Sequence, residues 1–428
     1  MRTLLFATTV FCGATLIDGT GAPPIPDALL IVTDGRVAFA GPYSPQALAQ
    51  APKEAERIDV SGRWIIPGLI DAHVHAGSAD EQRSFLRWGV TTARLMAEDV
   101  EAARDRARRS QRPAAFVAEL VPAAPIFTAP GGWWDRGEPH DERLNRTPNS
   151  PSEAVEAVRE ARRLGTVEIK LMLDDMSWCR TPKPALPRLP APTARALIEE
   201  ARRLGLRASV HAPQLSDAVE AIGDGCTALA HGVLEPIPAQ VVEVMRTRPV
   251  YYIPTLGIFE LLADPRAFMD RVLADPRVAN GILEWALREY RAPSYEETYH
   301  RRYPNYASVG QHLPALRENL LRLHRAGVPI ALGTDMWAFP GLGVSIEMDL
   351  YVRAGLTPLE ALRAATQTAA RSLDLEADRG TLEKGKRADF LVLDADPSKD
   401  VTNVRSLREI YRSGHRFGPV DPNQPFLP

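Results

Sequence analysis

Five stretches of this chain close a helix on glycine and open a short apolar strand, and four of those strands end on a side chain able to bind a metal. The four are ARRLG-TVEIK, ending on Lys170, ARRLG-LRASVH, ending on His211, DGCTALAH, ending on His231, and HRAG-VPIALGTD, ending on Asp335. The fifth, FLRWG-VTTARLM, carries no such residue. Glycine after a helix supplies the left-handed residue that a helix C-terminus favours. Helices alternating with strands, with no hairpins between them, call for parallel strands joined by right-handed crossovers. The opening PGLIDAHVH adds His73 and His75, so ligand-type residues fall at the carboxyl ends of successive strands. In a (β/α)8 barrel that rim is where active sites are built. The expected fold class is therefore α/β, a (β/α)8 TIM barrel.

The 428 residues exceed the roughly 250 of a typical barrel and leave room for a smaller module. Residues 1–65 and the closing GTLEKGKRADFLVLDAD both read as short strands and turns. They predict one small β-sandwich built from both termini, residues 1–65 and 380–428, around a barrel of residues 66–379. Met1-Arg2 followed by LLFATTVF also has the look of a signal peptide over residues 1–15. A strand is the preferred reading, because Asp34-Gly35 is a hairpin signal that supplies its partner. The expected location is accordingly the cytoplasm, with export as the alternative. Cys12, Cys179 and Cys226 form no CxxC pair, which argues against structural zinc or a disulfide framework and suits a reducing compartment. A net charge of −3 and the lack of an apolar run of about 20 residues argue against nucleic acid and membrane as partners. A small-molecule substrate and self-association into a homo-oligomer are the expected partners.

Within the middle region SEAVEAVREARRLG, PTARALIEEARRLG and ALRENLLRLHRAG show helical apolar spacing. TPLEALRAATQTAARSL is a further helix, capped by Thr357 with Pro358 at its first position. Two insertions break the rhythm: the proline-rich loop 181–192, and residues 256–316, which read as about two extra helices. Long segments on a catalytic rim serve as lids or specificity walls, or are helical decoration.

His73 and His75 are two apart, so on a strand both face the same way and can grip one cation. Asp71 shares that parity and is placed to orient an imidazole. His211 and His231 follow their glycines by similar offsets, which predicts one height on the rim. Lys170 interrupts an otherwise apolar IKLML run. It either snorkels, pairs with Asp174 or Asp175, or is a neutral amine that captures carbon dioxide as a carbamate bridging two cations. Asp335 ends the last strand and is suited to bind metal weakly and to take the proton of the attacking water. Trp133, Trp134, Tyr252 and Trp337 fall on rim loops and are candidates for an aromatic substrate pocket.

With these motifs in place the chain resembles the amidohydrolase superfamily of metal-dependent hydrolases. Within it the chain is similar to the imidazolonepropionase-like branch that includes Xaa-Pro dipeptidases with a carboxylated lysine. ATLIDGTGAPPIPDALLIVTDGRVAFAGP, PGLIDAHVH, GVTTARLM and LTPLEALRAAT through GTLEKGKRADFLVLDADP carry the likeness. The resemblance implies that His73 and His75 hold a buried metal and that His211 and His231 hold an exposed one. It implies that carboxylated Lys170 bridges them, that Asp335 handles the proton, and that zinc is the usual metal. It also implies cleavage of an amide bond in an N-acyl amino acid, dipeptide or cyclic amide, with lactone, ester or phosphotriester hydrolysis as the alternative. A deaminase would carry glutamate where Gln214 stands, and a non-catalytic scaffold would have lost ligands. Two positions depart from relatives that carry histidine there: the TAPGG loop continues into Trp133 and Trp134, and Ser345 precedes EMDLYVRAGLTP. Both are expected to touch substrate.

Overall fold

The computed structural model describes residues 8–75, 78–96, 100–112, 116–123, 125–133, 135, 145–180, 184–248, 250–278, 282–302 and 306–418. Strands from the two ends of the chain share one eight-stranded sheet. Trp64–Pro67 is its seam, parallel to Thr8–Leu16 on one side and antiparallel to Phe390–Leu393 on the other. Asp34 and Gly35 both have positive φ and join Ile25–Thr33 to Arg36–Pro42 in a two-residue hairpin, as the DG signal predicts. Phe390 stacks on Tyr411 at 4.3 Å and meets Phe11 edge-on at 5.1 Å, so side chains from both termini fill one small core. Residues 8–15 of the leader-like stretch lie in strand Thr8–Leu16, which pairs on both flanks.

The middle of the chain is parallel throughout. Leu69–Val74, Val90–Met96 and Glu119–Ala123 form a three-stranded sheet. Ile126–Phe127, Glu168–Met172, Arg207–His211, Ala228–Ala230 and Tyr251–Ile253 form most of a six-stranded one, with the short Asn145–Arg146 at its edge. The last expected strand is a single bridge between Ile330 and Tyr252. Its backbone still spans the gap: Ala331 N donates to Tyr252 O at 3.1 Å, and on the other side Ala72 N donates to Leu332 O at 2.9 Å. The result is an α/β fold of TIM-barrel type whose strands are assigned to two parallel sheets with no closed ring. Helices Pro151–Arg163 and Ala191–Arg203 end at Gly165 and Gly205, with φ of +93° and +68°, as the glycine pattern predicts. Thr357 caps its helix with a capping box to Glu360, and Pro358 follows it.

Among the described residues of 256–316 lie four helices, Leu256–Ala263, Pro265–Leu273, Glu284–Arg291 and Tyr295–Arg302, and a 3₁₀ segment, Tyr306–His312, before helix Leu313–Arg325 begins. About two were expected. Each is only two to three turns long, and Leu256–Ala263 is buried along most of its length, so little polar-apolar periodicity marks it. Of the proline-rich loop 181–192, residues 184–192 are described: 184–190 carry neither helix nor strand, and 191–192 open the helix Ala191–Arg203.

Candidate metal centre

His73 lies on Leu69–Val74 and is 0% exposed, with no hydrogen-bond partner at either ring nitrogen among the described residues. The next-but-one position, His75, sits just past the strand, its Nε2 3.3 Å from Asp335 Oδ1. Asp335 Oδ1 is also 3.8 Å from His73 Nε2, and Oδ2 is 3.8 Å from His231 Nδ1. One donor atom each from His73, His231 and Asp335 lies within 4.8 Å of the others. The His211 and His231 rings are 4.5 Å apart, and those of His73 and His231 4.7 Å. Strand register sets His211 opposite Ala230, so His231 stands one residue further along than equal height would require.

Lys170 is 2% exposed, and its Nζ has no partner among the described residues. Burial lowers its ammonium to about 7 against the opposing pull of Asp335. Pairing with Asp174 or Asp175 does not occur: Asp174 receives Trp178 Nε1 at 2.8 Å and Met176 N at 2.7 Å, and Asp175 receives Ser177 N at 2.8 Å. Burial, helped by neighbouring Lys170, holds the His73 imidazole well below its usual range. Burial and the facing His211 do the same for His231. Both rings are therefore neutral at physiological pH, the form in which imidazole binds a cation.

Local backbone is bent to make this arrangement. His231, Thr255 and Asp335 have φ of +83°, +46° and +54°, a region that side-chain-bearing residues seldom occupy. Thr255 Oγ1 meets His231 Nδ1 at 3.0 Å. Asp71 does not reach an imidazole, contrary to expectation. Its Oδ1 accepts from the amides of His73 at 3.1 Å and Thr334 at 3.0 Å, and Oδ2 from Thr334 Oγ1 at 2.7 Å. It ties the first strand to the last one. Burial pushes its carboxyl up to about 7. A cluster that sequence spacing did not reveal lies around His211, whose Nε2 is 3.1 Å from Asp174 Oδ2.

All six candidate side chains line one cavity of about 400 Å³. Trp133 and Trp337 line it as expected, and Trp178 and Phe259 complete an aromatic wall that the sequence did not mark out. Ile258, Phe259 and Leu262 come from helix Leu256–Ala263, whose first two amides, Leu256 N and Gly257 N, are each bound by the buried carboxylate of Glu347 at 2.7 Å. Trp134 lies outside the described residues. Tyr252 is fully buried beneath the site with its hydroxyl accepting from Val233 N at 3.1 Å, so it does not line the cavity. Ser345 is also absent from the wall: its hydroxyl donates to Leu342 O and accepts from Arg405 Nε, both at 2.9 Å.

Two ring nitrogens on His73 and one amine on Lys170, buried and unpartnered beside Asp335 and His231, are costly unless a further group completes them. Imidazole and carboxylate donors suit a divalent cation, so the residues fit a metal. This fold with such a cavity at its strand ends defines the class of metal-dependent hydrolases. The sequence model of the amidohydrolase family matches residues 64–413, and the chain belongs to that family. It is an enzyme, a hydrolase acting on carbon–nitrogen bonds. It is 25% identical to an ochratoxinase of Aspergillus niger across 98% of this chain and 90% of that protein. It is 29% identical to an imidazolonepropionase of Agrobacterium fabrum across 94% and 90%. Among solved structures, a Xaa-Pro dipeptidase with methionine bound in its active site superposes with a TM-score of 0.75 at 19% identity, covering 96% of this chain and 100% of that one.

Proposed function

We propose that this chain hydrolyses an amide bond of a small molecule at a centre of two divalent cations, with zinc as the metal. His73 and His75 would hold one cation and His211 and His231 the other, with Lys170 as a carbamate supplying a shared anionic ligand. Supporting this is one observation: six side chains from five strands line a single cavity, and the most buried of their nitrogens have no hydrogen-bond partner among the described residues. Bound there, divalent cations supply Lewis acidity toward the scissile carbonyl and bring the pKa of water toward neutrality. The relatives named ochratoxinase and imidazolonepropionase agree with chemistry at a carbon–nitrogen bond.

Lys170 reaches the bridging form in one step. Its neutral amine would form a bond to the carbon of carbon dioxide while one carbon–oxygen π pair moves onto oxygen, and would pass one proton to water, becoming an anionic carbamate. Asp335, with a side chain 17% exposed at the cavity, takes a proton from water on a carboxylate oxygen and returns it to the leaving nitrogen. In this reading residues 66–379 form the catalytic unit, and residues 1–65 and 380–428 form one accessory module.

Asp335→Asn is the direct test. Compared at equal metal content, set by zinc loading and read by elemental analysis, the variant should lose about 10²–10⁴-fold in kcat, the usual worth of a positioned acid–base group. Unchanged turnover with full metal would remove Asp335 from the chemistry.

A further inference from the structure

We propose that the amide taken by this cavity is electrically neutral and bears a ring-sized apolar group, so that substrates with a free carboxylate are excluded. This deepens the hydrolase reading above and rests on it. Among the described residues fifteen side chains line the cavity, and six of them are the candidate ligands and proton carrier. Of the remaining nine, Trp133, Trp178, Phe259 and Trp337 are aromatic, and the other five are aliphatic, proline or thioether side chains. None of the nine carries a charge or a side-chain amide.

Substrate recognition follows from that division. A dipeptide or N-acyl amino acid brings a carboxylate that must lose water on entry. Among the described lining residues Lys170 is the one cationic type, and it is already committed to the metal bridge. The polar groups behind the wall are engaged too. Asp174 is held by Trp178 and Met176, and Gln214 Nε2 donates to Asp175 Oδ1 at 2.9 Å. An unpaired carboxylate against indole and aliphatic surface carries a heavy desolvation cost. If it turned inward to pair with the cations, it would take the position that the scissile carbonyl must occupy, and would inhibit without reacting. Neutral rings lose nothing of this kind and gain edge-to-face or offset contact with the aromatic wall. A cavity of about 400 Å³ falls within the range of small-molecule sites. Cyclic amides and anilide-, carbamate- or urea-type compounds meet these conditions.

Three matched compounds test the idea on the zinc-loaded full chain: phenylacetanilide, its analogue with a carboxylate para on the acyl ring, and the methyl ester of that analogue. Aniline release gives kcat/KM, and quenching of tryptophan fluorescence in the zinc-loaded Asp335→Asn chain gives binding without turnover. The neutral anilide and the ester should exceed the carboxylate by about a hundredfold in kcat/KM, and in binding as well. Equal or better handling of the carboxylate by both readouts overturns the proposal. If no anilide is cleaved but quenching still separates neutral from charged, the hydrolase reading falls and the neutral-ligand preference stands. Leu262→Arg places a guanidinium on the half-buried cavity wall and should raise kcat/KM for the carboxylate alone, by about tenfold. A folded Leu262→Arg with an unchanged ratio counts against the wall as the selector.

Discussion

Oδ2 of Asp174 accepts from Trp178 Nε1 at 2.8 Å and faces His211 Nε2 at 3.1 Å, so one carboxylate touches both the substrate wall and a candidate ligand. A carboxylate on one ring nitrogen fixes the tautomer and leaves the other nitrogen to a cation, and loss of such a partner commonly weakens metal affinity about 10–100-fold. Asp174→Asn should show a loss of that size in zinc affinity by chelator competition, together with a changed Trp178 emission. Affinity equal to that of the unmodified chain would mean the contact does not orient His211. At this scale the sequence spoke clearly where a polar residue ended a short apolar run, which is how His73, His211, His231, Lys170 and Asp335 stood out. Asp174 was illegible because a DD pair after a strand looks like any surface turn. Tyr252 misled for the opposite reason. The sequence places it on a rim loop, yet it lies inside strand Tyr251–Ile253, bridged to Ile330, and is core.

Among the elements, the last strand is the least regular and the most demanding in its fit. Only one bridge holds it to Tyr251–Ile253, yet Thr334 and Asp335 both pass close enough to bond His73 O, at 3.3 and 2.8 Å. Gly333 permits that approach. A Cβ there would stand 2.6 Å from Ile253 Cγ2, 2.8 Å from His73 Cβ and 2.9 Å from His73 N. Backbone cannot retreat as a flexible side-chain tip can, so Gly333→Ala should push the strand away from His73 and carry Asp335 with it. A loss of about 1–3 kcal/mol is expected from overpacking of this kind, measurable by urea denaturation, with reduced zinc content alongside. Normal stability and full zinc in Gly333→Ala would show that the strand has slack. The glycine of ALGTD reads in sequence as an ordinary turn residue, because only the neighbouring strand reveals the need for close approach. Helix-closing glycines were legible since their reason is local, whereas the helices of 256–316 were too short to print a period.

Across the whole molecule, the terminal sheet and the barrel are joined through buried charge. Glu119 opens the strand Glu119–Ala123, and its side chain is only 8% exposed. Arg379 contacts it at 3.1 Å and also donates to Thr92 Oγ1 at 2.8 Å, while Arg387 forms a second ion pair with the same carboxylate. Both arginines lie in the segment that leads into Phe390–Leu393, so they couple the sheet made by the chain's ends to the early barrel strands. Burial alone would raise the Glu119 carboxyl, but Arg379 and Arg387 outweigh it and hold the group below its ordinary 4.5. A depressed folded-state pKa means stability that is present above pH 4.5 and is lost as pH falls through the lower folded value. Glu119→Gln leaves the Arg379 and Arg387 guanidinium groups with Asp378 as their remaining carboxylate, at 3.0 and 2.8 Å, so a loss of about 1–3 kcal/mol is expected near neutral pH, less than for an uncompensated buried charge. The gap between the two proteins should narrow as pH falls below 4.5, since the carboxylate then becomes protonated in the unmodified chain as well. Urea melts from neutral to acid pH measure both effects, and the zinc content of Glu119→Gln should stay unchanged because no candidate ligand touches this cluster. A gap that is small at neutral pH, or one that widens in acid, would mean that apolar packing rather than the Glu119–arginine cluster holds the sheet to the barrel.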